Sequence, residues 1–286
     1  IEWGLFEGHV GIAVALVVTM RAGLLADRGL LDRAIARLRE LPPDDVIESK
    51  GLGLSDGLSG VALGLSSVLA DVPDLEPVVD HVLTVLERRV TSAARQTAWD
   101  FDDGAAGVIW ALQLLGIDVS DLWWDALPSS TTLRGLAHGD AGVALVTGAT
   151  PLRADPGDAR PCWGAPGVAI VAQELGLRAH PSITDSRALL AQPPGQEPGS
   201  LCCGTAGRAL AGRRLGLDVI SREKLLADQA ERVVGAPGVP SDAWVPGLRY
   251  GVAGSLLALV ALSDGELVAN PLLADYRRPQ DRKEAH

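Results

Sequence analysis

Two of the chain's only three cysteines stand side by side in Ser200–Gly207, SLCCGTAG, directly before a Gly-x-x-Gly pair. The third, Cys162, precedes another such pair in PCWGAPG. A lone cysteine is most often a small buried hydrophobe. Three thiols brought together are a different matter: as thiolates they bind metal or attack carbon, and backbone N–H groups at a helix N-terminus favour that ionised form. Whether these three meet depends on the elements that carry them.

Those elements are marked by a repeat. Gly-x-x-Gly followed by an apolar run occurs in seven copies, beginning at Gly8, Gly57, Gly104, Gly139, Gly164, Gly204 and Gly251. Most of the runs are apolar nearly all round, as in GHVGIAVALV and GVAGSLLALV, which marks helices enclosed by other helices. Between them lie amphipathic segments rich in Arg, Asp and Glu, at Leu30 to Leu41, Leu75 to Val90 and Arg222 to Val233, which read as an outer layer. The pattern predicts an all-α fold, an α/α toroid of seven inner helices with an incomplete outer layer. Successive first glycines are 49, 47, 35, 25, 40 and 47 residues apart, and the step of 25 is too short for an outer helix, so TPLRADPGDARP reads as a loop.

If the first glycines begin the inner helices, the residues one and two places before them line one end of the ring. One place before stand Glu7, Asp56, Asp103, His138, Trp163, Cys203 and Tyr250; two places before stand Phe6, Ser55, Asp102, Ala137, Cys162, Cys202 and Arg249. All three cysteines thus fall on this rim in two consecutive repeats. Three thiolate ligands suit zinc, and three protein ligands rather than four leave a position open for water or substrate.

AHGDAG, PCWGAPG and LCCGTAG, in that order within a seven-fold glycine-marked helical repeat, resemble the lanthionine synthetase C-like family of lanthipeptide cyclases. The likeness spans residues 1–286 as a single domain. It implies a toroid with a Zn2+ ion on Cys162, Cys202 and Cys203 that binds a substrate cysteine as thiolate. That sulfur adds to dehydroalanine or dehydrobutyrine, closing a lanthionine or methyllanthionine ring in a dehydrated precursor peptide. It also implies His138 as the acid that protonates the resulting enolate, and Asp100 in WDFDDGAAG as the aspartate that orients the histidine or assists proton transfer. The neighbouring Asp102 and Asp103 are candidates for helix caps.

Some residues depart from the family's pattern. Cys203 stands where most members have histidine, as in the Cys-Cys-Gly subgroup of the bifunctional synthetases, and Trp163 replaces a common tyrosine. The family's active-site arginine usually lies four residues before the first zinc cysteine, where this chain has Asp158; Arg160 is the nearby substitute. The interval between 142 and 161 is short, and the chain starts at Ile1 almost inside the first repeat, so the domain reads as truncated at its N-terminus. A dehydratase or kinase/lyase domain or partner would supply the dehydrated peptide.

Charge and composition narrow the partners. A net charge of -11 and a pI near 4.9 exclude a general nucleic-acid or anionic-membrane surface. The longest apolar runs fall short of the roughly 20 residues that cross a bilayer. An odd number of cysteines and no signal-like segment point to a reducing cytoplasm. An aromatic content of 4% disfavours the isoprenoid pocket of a prenyltransferase, and a glycosidase reading leaves the cysteines unexplained. Two other readings share the same residues: addition of glutathione to dehydroamino acids, and a non-catalytic scaffold stapled by zinc that binds a leader peptide or partner enzyme.

Overall fold

A computed structural model describes residues 3–25, 28–40, 44–93, 99–119, 134–148, 152–155, 157–192, 200–217, 219–221, 223–227, 249 and 252–263. Its elements are helices: α1 (His9–Arg21), α2 (Arg28–Arg39), α3 (Asp44–Ser49), α4 (Leu58–Val68), α5 (Glu76–Ala93), α6 (Ala105–Leu114), α7 (Asp140–Thr147), α8 (Ala165–Glu174), α9 (Pro181–Leu190), α10 (Thr205–Arg214) and α11 (Val252–Ser263). Among the described residues there is no strand, only an isolated bridge between Asp155 and Gly164. None of the helices is long and apolar enough to cross a membrane.

All seven glycine-marked runs are helices, and they close a ring. In order, α1, α4, α6, α7, α8, α10 and α11 each pack on the next, and α11 packs back on α1. The enclosed position explains their composition. Along α6, Ala105 to Leu112 are buried without a break. The outer helices bury one stripe instead, as α2 does with Leu31, Ala34, Ile35 and Leu38 at helical spacing. α2 lies against α1, α5 against α4, and α9 against α8 and α10. α9 lies in a stretch where no outer helix was read from sequence. The segment Arg222 to Val233 is described only at 223–227, which are helical, and Tyr250 and Gly251 lie outside the described residues. The described residues between α7 and α8 contain no helix, as their length requires.

α10 carries a buried cation within the inner layer. Arg208 of α10 is buried, and its Nη2 donates to the carbonyl oxygens of Leu189, Leu190 and Gln192 at 3.4, 3.4 and 2.8 Å. A cation there satisfies carbonyls left open at the C-terminus of α9 and meets the negative end of its dipole.

The glycines serve the chain's own packing. The first glycines, such as Gly104 at φ -102°, are N-caps in ordinary extended conformation, open to any residue. The constraint is space: a Cβ on Gly164 would lie 1.9 Å from the Asp158 carbonyl oxygen. At the second glycines the same contact recurs, always with the carbonyl six residues earlier. A Cβ on Gly107 would meet the Phe101 oxygen at 2.0 Å, and one on Gly167 the Pro161 oxygen at 1.9 Å. Each helix thus leans directly on the turn that leads into it, and no ligand is needed to explain the motif. Gly107→Ala should therefore destabilise the fold by about 2 kcal/mol in urea unfolding, because a clash with backbone costs toward the upper end of overpacking, about 3 kcal/mol, and alanine's helix preference returns only about 1 kcal/mol.

The turns before the helices are joined around the bore by backbone hydrogen bonds, all at the position two before the first glycine. Phe6 N–H donates to Ser55 O at 3.1 Å, Ser55 to Asp102 at 2.9 Å, Asp102 to Ala137 at 2.9 Å and Ala137 to Cys162 at 2.9 Å. Cys202 donates to Arg249 at 3.1 Å and Arg249 to Phe6 at 3.0 Å. At the junction of the fifth and sixth repeats the Cys162 Sγ donates to the Cys202 carbonyl at 3.3 Å. This closed belt fixes the height of every rim residue.

Candidate functional site

The belt brings the three cysteines together at the N-termini of α8 and α10, which are packed side by side. Cys162 is buried, Cys202 and Cys203 are half-buried, and all three are free thiols. Cys203 Sγ lies 3.4 Å from Cys162 Sγ and 3.2 Å from Cys202 Sγ, and the three sulfurs fall within 4.8 Å of one another. Such a group could hold a metal ion. Zinc–sulfur bonds of about 2.3 Å in a tetrahedron set sulfurs about 3.8 Å apart, so these donors fit zinc after spreading by roughly half an ångström. The thiols share their protons unequally. Cys203 is drawn down to about 3 by its hydrogen bonds with Cys162 and Cys202, with the Arg160 and Arg249 charges helping. Cys162 is pushed up by its bonds to Cys202 and Cys203 and by burial. Cys202 rises to about 12, because its bond to Cys203 and its burial outweigh the bond from Cys162.

Beside the Cys162 turn stands His138, on the turn into α7, the helix that packs on α8. Its Nδ1 is 3.8 Å from Asp100 Oδ1 and its Nε2 is 3.5 Å from Asp102 Oδ2, distances of charge pairing rather than of tight hydrogen bonds. Its ring rests on Trp163, with centroids 4.7 Å apart. Asp100 above all, then Asp102, hold the imidazole's pKa above the ordinary 6.5 against the effect of burial. For Asp100, burial works to raise the pKa, but the imidazole and the backbone N–H groups of Asp103 and Gly104 outweigh it and leave it lowered.

Neither Asp102 nor Asp103 caps α6, whose N-cap is Gly104 with no side-chain cap hydrogen bond. Asp100 Oδ1 accepts the N–H groups of Asp103 at 2.7 Å and Gly104 at 3.2 Å, so Asp100 itself ties off the turn into α6. These bonds lock the carboxylate that faces His138 to the turn that enters α6. Asp102 points into the bore, 3% exposed, and forms a salt bridge with Arg249 of the seventh repeat. Asp103, whose carboxyl is pushed up by burial and by Asp102 and Asp100, is exposed on the rim.

Arg160 lies on the loop before α8, where its guanidinium forks onto Asp158 with Nε 2.9 Å from each carboxylate oxygen. Its charge reaches Cys203 and Cys162. The Asp158 that stands in the usual arginine position thus holds the nearby arginine beside the thiols. Beside these groups a space of about 40 Å³, lined by Phe6, Phe101, Leu136, Pro161 and Leu201 among others, forms an apolar floor. It admits little more than a water molecule, so anything of peptide size meets the thiols and His138 from the rim side.

The structure therefore gathers Cys162, Cys202, Cys203, His138 and Asp100 at one end of the ring and sets Arg160 at its edge. Sequence reasoning offered Asp102 only as a candidate helix cap and gave Arg249 no role, since each was only one of seven residues at an equivalent register position.

No protein-family model matches the chain, and neither does any curated protein sequence. Among solved structures it is similar to one described as nisin cyclase, with a TM-score of 0.62 over 92% of this chain and 89% of that one, at 16% sequence identity. That likeness, over nearly the full length of both, establishes that this chain has the α/α-toroid fold of nisin cyclase.

Proposed function

We propose that the protein is a peptide cyclase of the lanthionine synthetase C-like family, joining cysteine sulfurs to dehydroalanine or dehydrobutyrine residues of a dehydrated precursor peptide. The observation that carries this reading is the convergence, on one rim of a toroid with this fold, of three metal-competent thiols and a histidine set between two carboxylates. Cys162, Cys202 and Cys203 would hold zinc, which when bound lowers a thiol's pKa so that a substrate sulfur is ionised near neutral pH.

The chain's own residues account for the proton. In the reaction the substrate sulfur bonds to the β-carbon of the dehydro residue and the displaced π electrons pass toward the carbonyl. His138 then gives a proton to the α-carbon. One thiol proton is lost and one carbon proton gained, so no oxidant or reductant enters. A histidine whose pKa is raised above its ordinary value, chiefly by Asp100, suits this exchange, since the protonated form that donates is favoured. Asp100 orients the ring, and Arg160 adds positive charge beside the sulfurs. The peptide comes from a dehydratase or a kinase/lyase domain or partner, and the thiol chemistry suits a reducing cytoplasm.

The test is cyclisation of a purified peptide carrying both cysteine and dehydroalanine. Ring closure leaves the mass unchanged and removes the thiol's reactivity toward an alkylating agent, so mass spectrometry after alkylation reads it. The zinc-loaded protein should close rings far faster than the peptide does alone. A rate equal to that of the peptide alone would leave the zinc-stapled scaffold as the better reading.

A further inference from the structure

Arg249 and Asp102 are 147 positions apart in the chain, yet the Arg249 Nη2 donates to Asp102 Oδ2. That oxygen is also the one that lies 3.5 Å from His138 Nε2. The other ring nitrogen, Nδ1, faces Asp100. An imidazole between two carboxylates presents both N–H groups to acceptors, and an N–H drawn into a short bond with a carboxylate is poorly placed to give its proton to carbon. This geometry would defeat a proton donor unless one carboxylate were already engaged.

Asp102 is engaged in that way. Its Oδ2 is bound by the guanidinium, and Nε2 is left outside tight hydrogen-bonding range. The arginine is itself well anchored. Its N–H donates to Phe6 O at 3.0 Å, its carbonyl accepts from Cys202 N–H at 3.1 Å, and its guanidinium carbon lies 5.6 Å from the centroid of the Phe6 ring. The belt that carries Cys202 therefore also places the group that restrains Asp102.

We infer that Arg249 is a positioning residue for the proton transfer: by occupying Asp102 Oδ2 it keeps that carboxylate from closing on His138. Nδ1 is then oriented by Asp100 while Nε2 stays available to the substrate carbon. The step that this serves rests on the cyclase reading, but the arrangement itself is measurable without turnover.

Three variants test it: Arg249→Gln, Asp102→Asn and the two combined. In Arg249→Gln, Asp102 should close on the histidine, lowering kcat by about 10–100-fold with KM and zinc content nearly unchanged. Adding Asp102→Asn removes the competing carboxylate, and the double variant should regain most of the loss. A purely structural tie predicts no such recovery. Proton–nitrogen NMR of the imidazole supplies the second readout: a slowly exchanging His138 Nε2–H should appear in Arg249→Gln and be absent from the wild type and the double variant. Arg249→Lys, which retains a cation without the fork, should fold and show a smaller version of both changes. The inference is overturned if the double variant is no faster than Arg249→Gln, or if the histidine spectrum is the same in all of them. Failure of the wild type to cyclise would instead overturn the cyclase reading, with the spectra still deciding the role of Arg249.

Discussion

Replacing Cys203 with alanine is expected to remove bound zinc and, with it, ring formation. Cys203 sits between the other two sulfurs, 3.4 Å from Cys162 and 3.2 Å from Cys202. It is also the thiol the site favours as thiolate, drawn to about 3 first by its hydrogen bond with Cys162 and then by that with Cys202. A metal ligand must be ionised to bind, so its loss removes the donor most ready for the metal. Loss of a ligand's outer-shell partner already costs about 10–100-fold in affinity, and loss of the ligand itself should exceed that. Elemental analysis of the purified variant should fall from near one zinc per chain to near none. Cys203→His offers a nitrogen donor where the resembled family usually has histidine, and it should retain the metal. Full zinc in Cys203→Ala would place the ion away from these cysteines.

Replacing His138 with asparagine should lower kcat by about 10²–10⁴-fold, the usual contribution of a placed general acid, while zinc content stays that of the wild type. The separation is expected because the histidine pairs with Asp100 and Asp102 rather than with the thiols. The same residue carries a pH signature. Its pKa is raised above the unfolded value of about 6.5, chiefly by Asp100, so its contribution to stability is complete below that value and fades as pH rises through the folded pKa. NMR titration of the His138 ring should give a midpoint above that of an unfolded peptide. Asp100→Asn should bring the midpoint down, and because Asp100 also holds the turn into α6, the variant should lose stability too. A wild-type rate in His138→Asn would assign the proton to another group.

The chain is uneven in how openly it encodes these features. Helix identity is local: an apolar run such as Gly107 to Leu112, preceded by a glycine pair, has one low-energy solution in an all-helical setting. Seven such runs of similar length bury their surfaces only by closing on one another, so the ring itself was legible. Cys162, Cys202, Cys203 and His138 were legible for the same reason, because their distance from a repeated glycine fixes their height on the rim. α9 was not legible. Its buried positions, Ser182, Ile183, Ser186 and Leu190, include two serines, and a stripe half polar does not register as amphipathic. Asp100 could be read as a site residue, though not as the tie of the turn into α6 that it also is, since three acidic residues in WDFDDG compete for one turn.

The sequence by itself determined the seven inner helices, the rim and the three thiols, because these follow from local periodicity and from distances along the chain that every repeat shares. The tertiary structure alone decided how the rim is joined: the backbone belt, the carboxylates on either side of His138, and the salt bridge from Arg249 to Asp102. Those contacts link residues far apart in sequence whose side chains satisfy one another only after the ring has closed, and nothing in the neighbourhood of either partner specifies the other.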